Sequence, residues 1–99
     1  MRVLIVEDDA DQRRILALIV RSRGHEPIEC ASLAEASAAG ECDLALVDRR
    51  LPDGDGLEWA RTRDGPVYLL TGEEETVVGI PVLLKPVRAR ELDALLGST

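Results

Sequence analysis

Short apolar runs punctuate this chain at near-regular intervals, and each is followed by polar punctuation. Val3-Leu4-Ile5-Val6 ends at Glu7-Asp8-Asp9, and Leu44-Ala45-Leu46-Val47 ends at Asp48. Runs of this length, apolar without alternation, are the pattern of strands buried on both faces of a sheet. Pro27 to Ala31, Pro66 to Leu70 and Val82 to Leu84 read as three more strands. Between them the spacing turns helical. Asp8 or Asp9 can cap a helix through Ile15, Leu16, Leu18, Ile19 and Val20, closed by Gly24. Ser32-Leu33-Ala34-Glu35 has the form of a capping box and opens a small helix that Gly40 ends. Leu57 to about Arg63 predicts a short helix, and Val87 to Leu96 an amphipathic one with Leu92, Leu95 and Leu96 on one side. Strands alternating with helices imply βαβ units, a parallel sheet and right-handed crossovers.

The stretch between the fourth and fifth strands breaks this rhythm. Residues 72–81 number only ten, whereas a crossover that includes its helix needs at least ~10–12. Gly72, Gly79 and Pro81 spoil much of it for helix. An extended route suffices, because ten residues reach ~33 Å and a five-residue strand spans ~17 Å. The fourth helix is therefore predicted to be lost, or reduced to about one turn at Glu73-Glu74-Glu75, which otherwise reads as a solvated loop. Losing that helix is expected to bare apolar surface over the last two strands, the kind of surface that marks a partner or self-association site.

Composition narrows the function classes. Ninety-nine residues suit one domain. Aromatics are only 2%, so Val, Leu, Ile and Ala must fill the core, with Trp59 and Tyr68 as packing residues. The net charge of −7 opposes direct nucleic-acid binding. No stretch approaches the ~20 apolar residues of a membrane span, and charge arrives at Glu7 too early for a signal-peptide core, so a cytoplasmic protein is expected. Cys30 and Cys42 lack metal-site spacing and lie far in sequence from the single His25; they read as small hydrophobes in a reducing compartment.

The chemistry gathers where the strands stop. Glu7 and Asp8 follow the first strand, Asp48 the third, Thr71 the fourth and Lys85 the fifth. A parallel sheet brings these ends to one edge, where open α/β sheets hold ligands. Two carboxylates about 4 Å apart repel by roughly 4 kcal/mol at an effective dielectric near 20. Lys85 supplies one positive charge and leaves the site negative, so a hard divalent cation is called for, and Mg²⁺ fits best. With a hydroxyl and an ammonium beside it, Asp48 is placed to carry a phosphoryl group. The repeated Asp53-Gly54-Asp55-Gly56 is a turn and no calcium loop, since Leu51 and Thr62 stand where ligands are needed.

These four segments, Val3 to Asp9, Val47 to Gly56, Leu70-Thr71-Gly72 and Leu84-Lys85-Pro86, together resemble the receiver domains of two-component response regulators in order and over nearly the whole chain. The resemblance implies a flavodoxin-like, doubly wound α/β fold with five parallel strands in the order 2-1-3-4-5. It makes 1–99 a single receiver domain with no output domain in this chain. It implies Asp48 as phosphoacceptor, Mg²⁺ held by Glu7, Asp8, Asp48 and the backbone carbonyl of Arg50, and Thr71 and Lys85 on the phosphoryl group. It also implies a cis Lys85-Pro86 bond, and as donor the phosphohistidine of a sensor kinase or a histidine phosphotransfer protein. A signalling module is then expected, without turnover on an external substrate, acting on a downstream protein partner or a second copy of the chain over the uncovered fourth and fifth strands. Two departures stand out. Val82 occupies the place where the family usually carries an aromatic, and the fourth helix is predicted to be lost or reduced. Both favour an alternative, a pseudo-receiver that keeps the acid pocket as an interaction module. A haloacid-dehalogenase-type phosphatase would want a second Asp two residues after Asp48, where Arg50 stands. A pair between Arg50 and Glu73 is expected to shield the phosphoryl group.

Overall fold

Val3, Leu4, Ile5 and Val6 are all buried, and so is every residue from Leu44 to Asp48. These two segments are the centre of the sheet in the computed structural model, which describes residues 1–97; Ser98 and Thr99 of the expected 1–99 domain lie outside the described residues. The strands are β1 (Arg2–Val6), β2 (Glu26–Cys30), β3 (Leu44–Asp48), β4 (Arg50–Leu51), β5 (Gly54–Asp55), β6 (Val67–Thr71) and β7 (Val82–Leu84). The helices are α1 (Ala10–Ser22), α2 (Leu33–Ala38), α3 (Gly56–Arg61) and α4 (Ala89–Leu96). Five strands pair in parallel in the order β2-β1-β3-β6-β7. With the two-residue β4 and β5 set aside, this is the flavodoxin-like 2-1-3-4-5 order.

Side chains alternate across the sheet because a strand turns each successive residue to the opposite face. Val3, Ile5, Leu44, Leu46 and Leu70 pack with Leu16, Ala17 and Val20 of α1 and Leu92 and Leu96 of α4. Leu4, Val6, Ala45, Val47 and Leu69 pack with Ala36 of α2 and Leu57 and Ala60 of α3. Each fully buried Leu, Val or Ile contributes about 1.5–3 kcal/mol, so aliphatic residues alone carry this core. Ile15 and Leu18, expected on the inner stripe of α1, are exposed, because the 100° step places them across the helix from Leu16 and Val20.

Local signals set the helix ends. Asp9 caps α1, accepting from Gln12 N at 2.9 Å, and Gly24 follows with φ of 84° as the left-handed residue that stops it. Ser32 caps α2 through Glu35 N at 3.1 Å. The box is not reciprocal as expected, since the Glu35 carboxylate accepts from Ala31 N, one residue upstream of the cap. The remaining α2 amides are taken by Asp53, which accepts from Leu33 N at 2.9 Å and Ala34 N at 3.0 Å. Asp53 sits in the turn of the β4–β5 hairpin, a structure read from sequence only as loop.

Residues 72–81 contain no helix, as the ten-residue spacing predicts. The bare apolar face expected there is instead partly covered. Val77 and Ile80 lie against the α2–α3 side of the core together with Val82, so the segment does some of the missing helix's work. Val78 and Leu84 are the large apolar residues left exposed in this region.

Candidate functional site

The carboxyl ends of β1, β3, β6 and β7 meet at one edge of the sheet and carry Glu7, Asp48, Thr71 and Lys85. Lys85 Nζ lies 2.6 Å from Glu7 Oε1 and 3.0 Å from Asp48 Oδ2. Asp8, on the turn into α1, brings its carboxylate to the same place: Glu7, Asp8 and Asp48 each offer an oxygen within 4.8 Å of the others. Glu7, Asp48 and Thr71 are buried, whereas Asp8 is exposed. The site is thus a buried floor with one acid at its rim. Lys85-Pro86 is cis.

The backbone explains the convergence. Glu7 N donates to Cys30 O, Arg49 N to Leu70 O at 2.7 Å and Lys85 N to Thr71 O at 2.8 Å, so sheet pairing continues past the strand ends. Asp9 N donates to Glu7 Oε2 at 3.2 Å, and Arg13 Nη1 to Glu7 O at 2.8 Å. Thr71 Oγ1 accepts from Glu73 N at 3.2 Å.

Electrostatically the floor is overloaded with acid. Burial pushes the Glu7 carboxyl up to about 7; the hydrogen bond from Lys85 opposes this, and nearby Asp48 adds to it. Burial by itself would lower the Lys85 ammonium, yet its bonds to Glu7 and Asp48 outweigh that and hold it above its ordinary value. One ammonium cannot neutralise three carboxylates. The remaining negative charge and the all-oxygen donor set fit a hard divalent cation of the Mg²⁺ class.

Arg50 and Glu73 do not pair. Arg50 makes no ion pair among the described residues, and the arginine that does is its neighbour. Arg49 pairs with Asp55, and its Nε lies 3.2 Å from Glu75 Oε1. Alternation along the chain turns the two arginines to different sides, and only Arg49 faces both acids. Glu75, read from sequence as solvated, is half-buried in this pair. Asp55 also accepts from Leu57 N at 2.9 Å as the cap of α3. Asp55 carries a sequence signal, since Asp immediately before Gly56-Leu57 is a helix-cap position, whereas no local pattern marks Glu75. Cys30 and Cys42 are free; Cys42 Sγ accepts from Arg63 Nη2 at 2.8 Å.

No protein-family model matches the chain. Among curated proteins it is similar to the phosphate regulon transcriptional regulatory protein PhoB of Klebsiella pneumoniae, 34% identical over 94% of this chain and 48% of that protein. The chain spans half or less of the length of the curated relatives it matches. Among solved structures, the receiver domain of the hybrid histidine kinase CckA superposes with a TM-score of 0.84 at 29% identity, over 97% of this chain and 95% of that one. A sensor protein from Polaromonas sp. JS666 does so with a TM-score of 0.79 at 30% identity, over 96% and 91%. With the strand-end acids and the lysine gathered at one edge of this fold, and with likenesses that span nearly the whole chain, the chain belongs to the receiver domains of two-component response regulators.

Proposed function

We propose that this domain accepts a phosphoryl group on Asp48. The observation that carries the reading is Lys85 Nζ held between Glu7 Oε1 and Asp48 Oδ2, within a trio of converging carboxylates. An Asp48 oxygen attacks phosphorus, and the P–N bond of a donor phosphohistidine breaks. Its electron pair returns to the imidazole nitrogen. Lys85 offers a fixed positive charge to the oxygens that gain negative charge, and the Thr71 hydroxyl offers a donor. Mg²⁺, held by Glu7, Asp8, Asp48 and the Arg50 backbone carbonyl, supplies charge neutralisation during the transfer when bound. The donor is a sensor histidine kinase or a histidine phosphotransfer protein, and the module turns over no external substrate. Output goes to a downstream protein at the β6–β7 side, where Val78 and Leu84 are exposed. The acidic charge of −7 argues against direct DNA contact. No helix among the described residues is long and apolar enough to cross a membrane; two free cysteines favour a reducing, cytoplasmic location.

Incubation with acetyl phosphate and Mg²⁺ tests this. Intact mass should rise by one phosphoryl group in the wild type and stay unchanged in Asp48→Asn. A second reading, a pseudo-receiver that works without phosphorylation, is favoured by Val82 in the aromatic's place and by the missing helix. No mass gain, with the wild type still capturing its partner, would select it.

A further inference from the structure

We propose that Arg49 is the switch of this domain: a phosphoryl group on Asp48 draws its guanidinium away from Glu75 and releases the 72–81 segment. This rests on the phosphoacceptor reading above. Arg49 directly follows Asp48, and its main chain is held on both sides, N donating to Leu70 O at 2.7 Å and O accepting from Gly56 N at 2.9 Å. The side chain is the part left to move. It reaches Asp55 on one side and Glu75 on the other, where Nε lies 3.2 and 3.4 Å from the two carboxylate oxygens. Glu75 belongs to the segment that replaced a helix, and this is that segment's one ion pair among the described residues. Its other holds are Val77 and Ile80 on the core, the Glu73 amide on Thr71, and Pro81 O, which accepts from Leu69 N at 2.9 Å.

An open cavity of about 420 Å³ links Asp48 to Arg49, with Lys85, Thr71, Glu73 and Arg50 also in its wall. A phosphoryl group on Asp48 brings a charge of about −2 and three strong acceptor oxygens into that space. Guanidinium prefers such a group, which it can grip with two parallel bonds, over a partly exposed carboxylate whose pairing is weak. Arg49 exchanges partners, and 72–81 loses its one ion pair while its apolar contacts and the hydrogen bonds at its two ends remain. Val82 leaves the last strand without an aromatic to act as a link, and Arg49 supplies one by charge.

The test combines ¹⁹F NMR with amide hydrogen exchange, using beryllofluoride plus Mg²⁺ as probe. In the wild type a bound-fluoride signal should appear, and exchange across 73–80 should rise roughly three- to fivefold, the scale of losing a partly exposed tether. In Glu75→Gln and Arg49→Gln the segment should exchange fast with or without probe. In Asp48→Asn it should stay slow, with no bound fluoride. Bound fluoride with unchanged 73–80 exchange overturns the Arg49 switch and leaves the phosphoacceptor reading standing. Slow exchange in unliganded Glu75→Gln overturns it as well. Absence of bound fluoride in the wild type overturns the phosphoacceptor reading, and the switch with it.

Discussion

A Cβ built on Gly56 would lie 1.8 Å from the carbonyl oxygen of Asp48. The chain that leaves Asp48 passes through β4 and β5 and returns against the strand end it left. Gly56 N also donates to Arg49 O at 2.9 Å, so the contact is both close and hydrogen-bonded. Any side chain here must push one backbone off the other. Gly56→Ala should destabilise the domain by about 1–3 kcal/mol, the cost of overpacking. Because the displaced atom belongs to Asp48, phosphorylation by acetyl phosphate should slow by about 10- to 100-fold. Urea denaturation and initial rates check the two effects, and an Ala variant of wild-type stability would refute the contact.

Glu7 predicts an unusual pH profile for the metal-free protein. Its folded pKa, about 7, lies above the ordinary 4.5. The folded state therefore holds a proton that the unfolded state releases between these values. The resulting stability is full below about pH 4.5 and is lost as pH rises towards 7, by at most about 1.4 kcal/mol per pH unit for one proton. Asp53, Asp55 and Asp93, held below 3.8 by their hydrogen-bond partners, slope the other way but at lower pH, and the difference from Glu7→Gln isolates the Glu7 effect. Thermal melts from about pH 4.5 to 7.5 should show the wild type losing ground to the variant as pH rises. Parallel curves would count against it.

Lys85 is the cation that keeps two buried carboxylates together. Lys85→Met should cost the metal-free domain about 2–4 kcal/mol, because Glu7 and Asp48 are left facing each other without compensation. Part of that loss should return on adding Mg²⁺, and the gain in melting temperature should exceed the wild type's. A variant as stable as the wild type without metal would mean the ion pair contributes nothing net.

Besides its ion pair, the 72–81 segment is predicted to be held by its apolar contacts. Ile80 packs on the core whereas Val78 is 94% exposed. Ile80→Ala should cost about 1–2 kcal/mol, below the range for a fully buried Ile, and Val78→Ala less than about 0.5 kcal/mol. Equal effects from both would show that the segment does not cover the sheet.

Much of the molecule was legible in the residues, because its strong signals are local. Two-sided apolar runs marked β1 and β3, Asp9 and Ser32 marked helix starts, and ten residues between Thr71 and Val82 were too few for a crossover helix. Parallel pairing then had to bring Glu7, Asp48, Thr71 and Lys85 to one edge, since each closes a strand running the same way. Side-chain contacts between loops were decided only by the tertiary structure. Whether Arg49 or Arg50 would meet an acid, whether Glu35 would reach Ser32 or Ala31, and whether Val77 and Ile80 would fold onto the sheet all depend on where separate loops come to rest. Such choices turn on the direction of one side chain, and a spacing rule that repeats every two or 3.6 residues carries no information about chain far away in sequence.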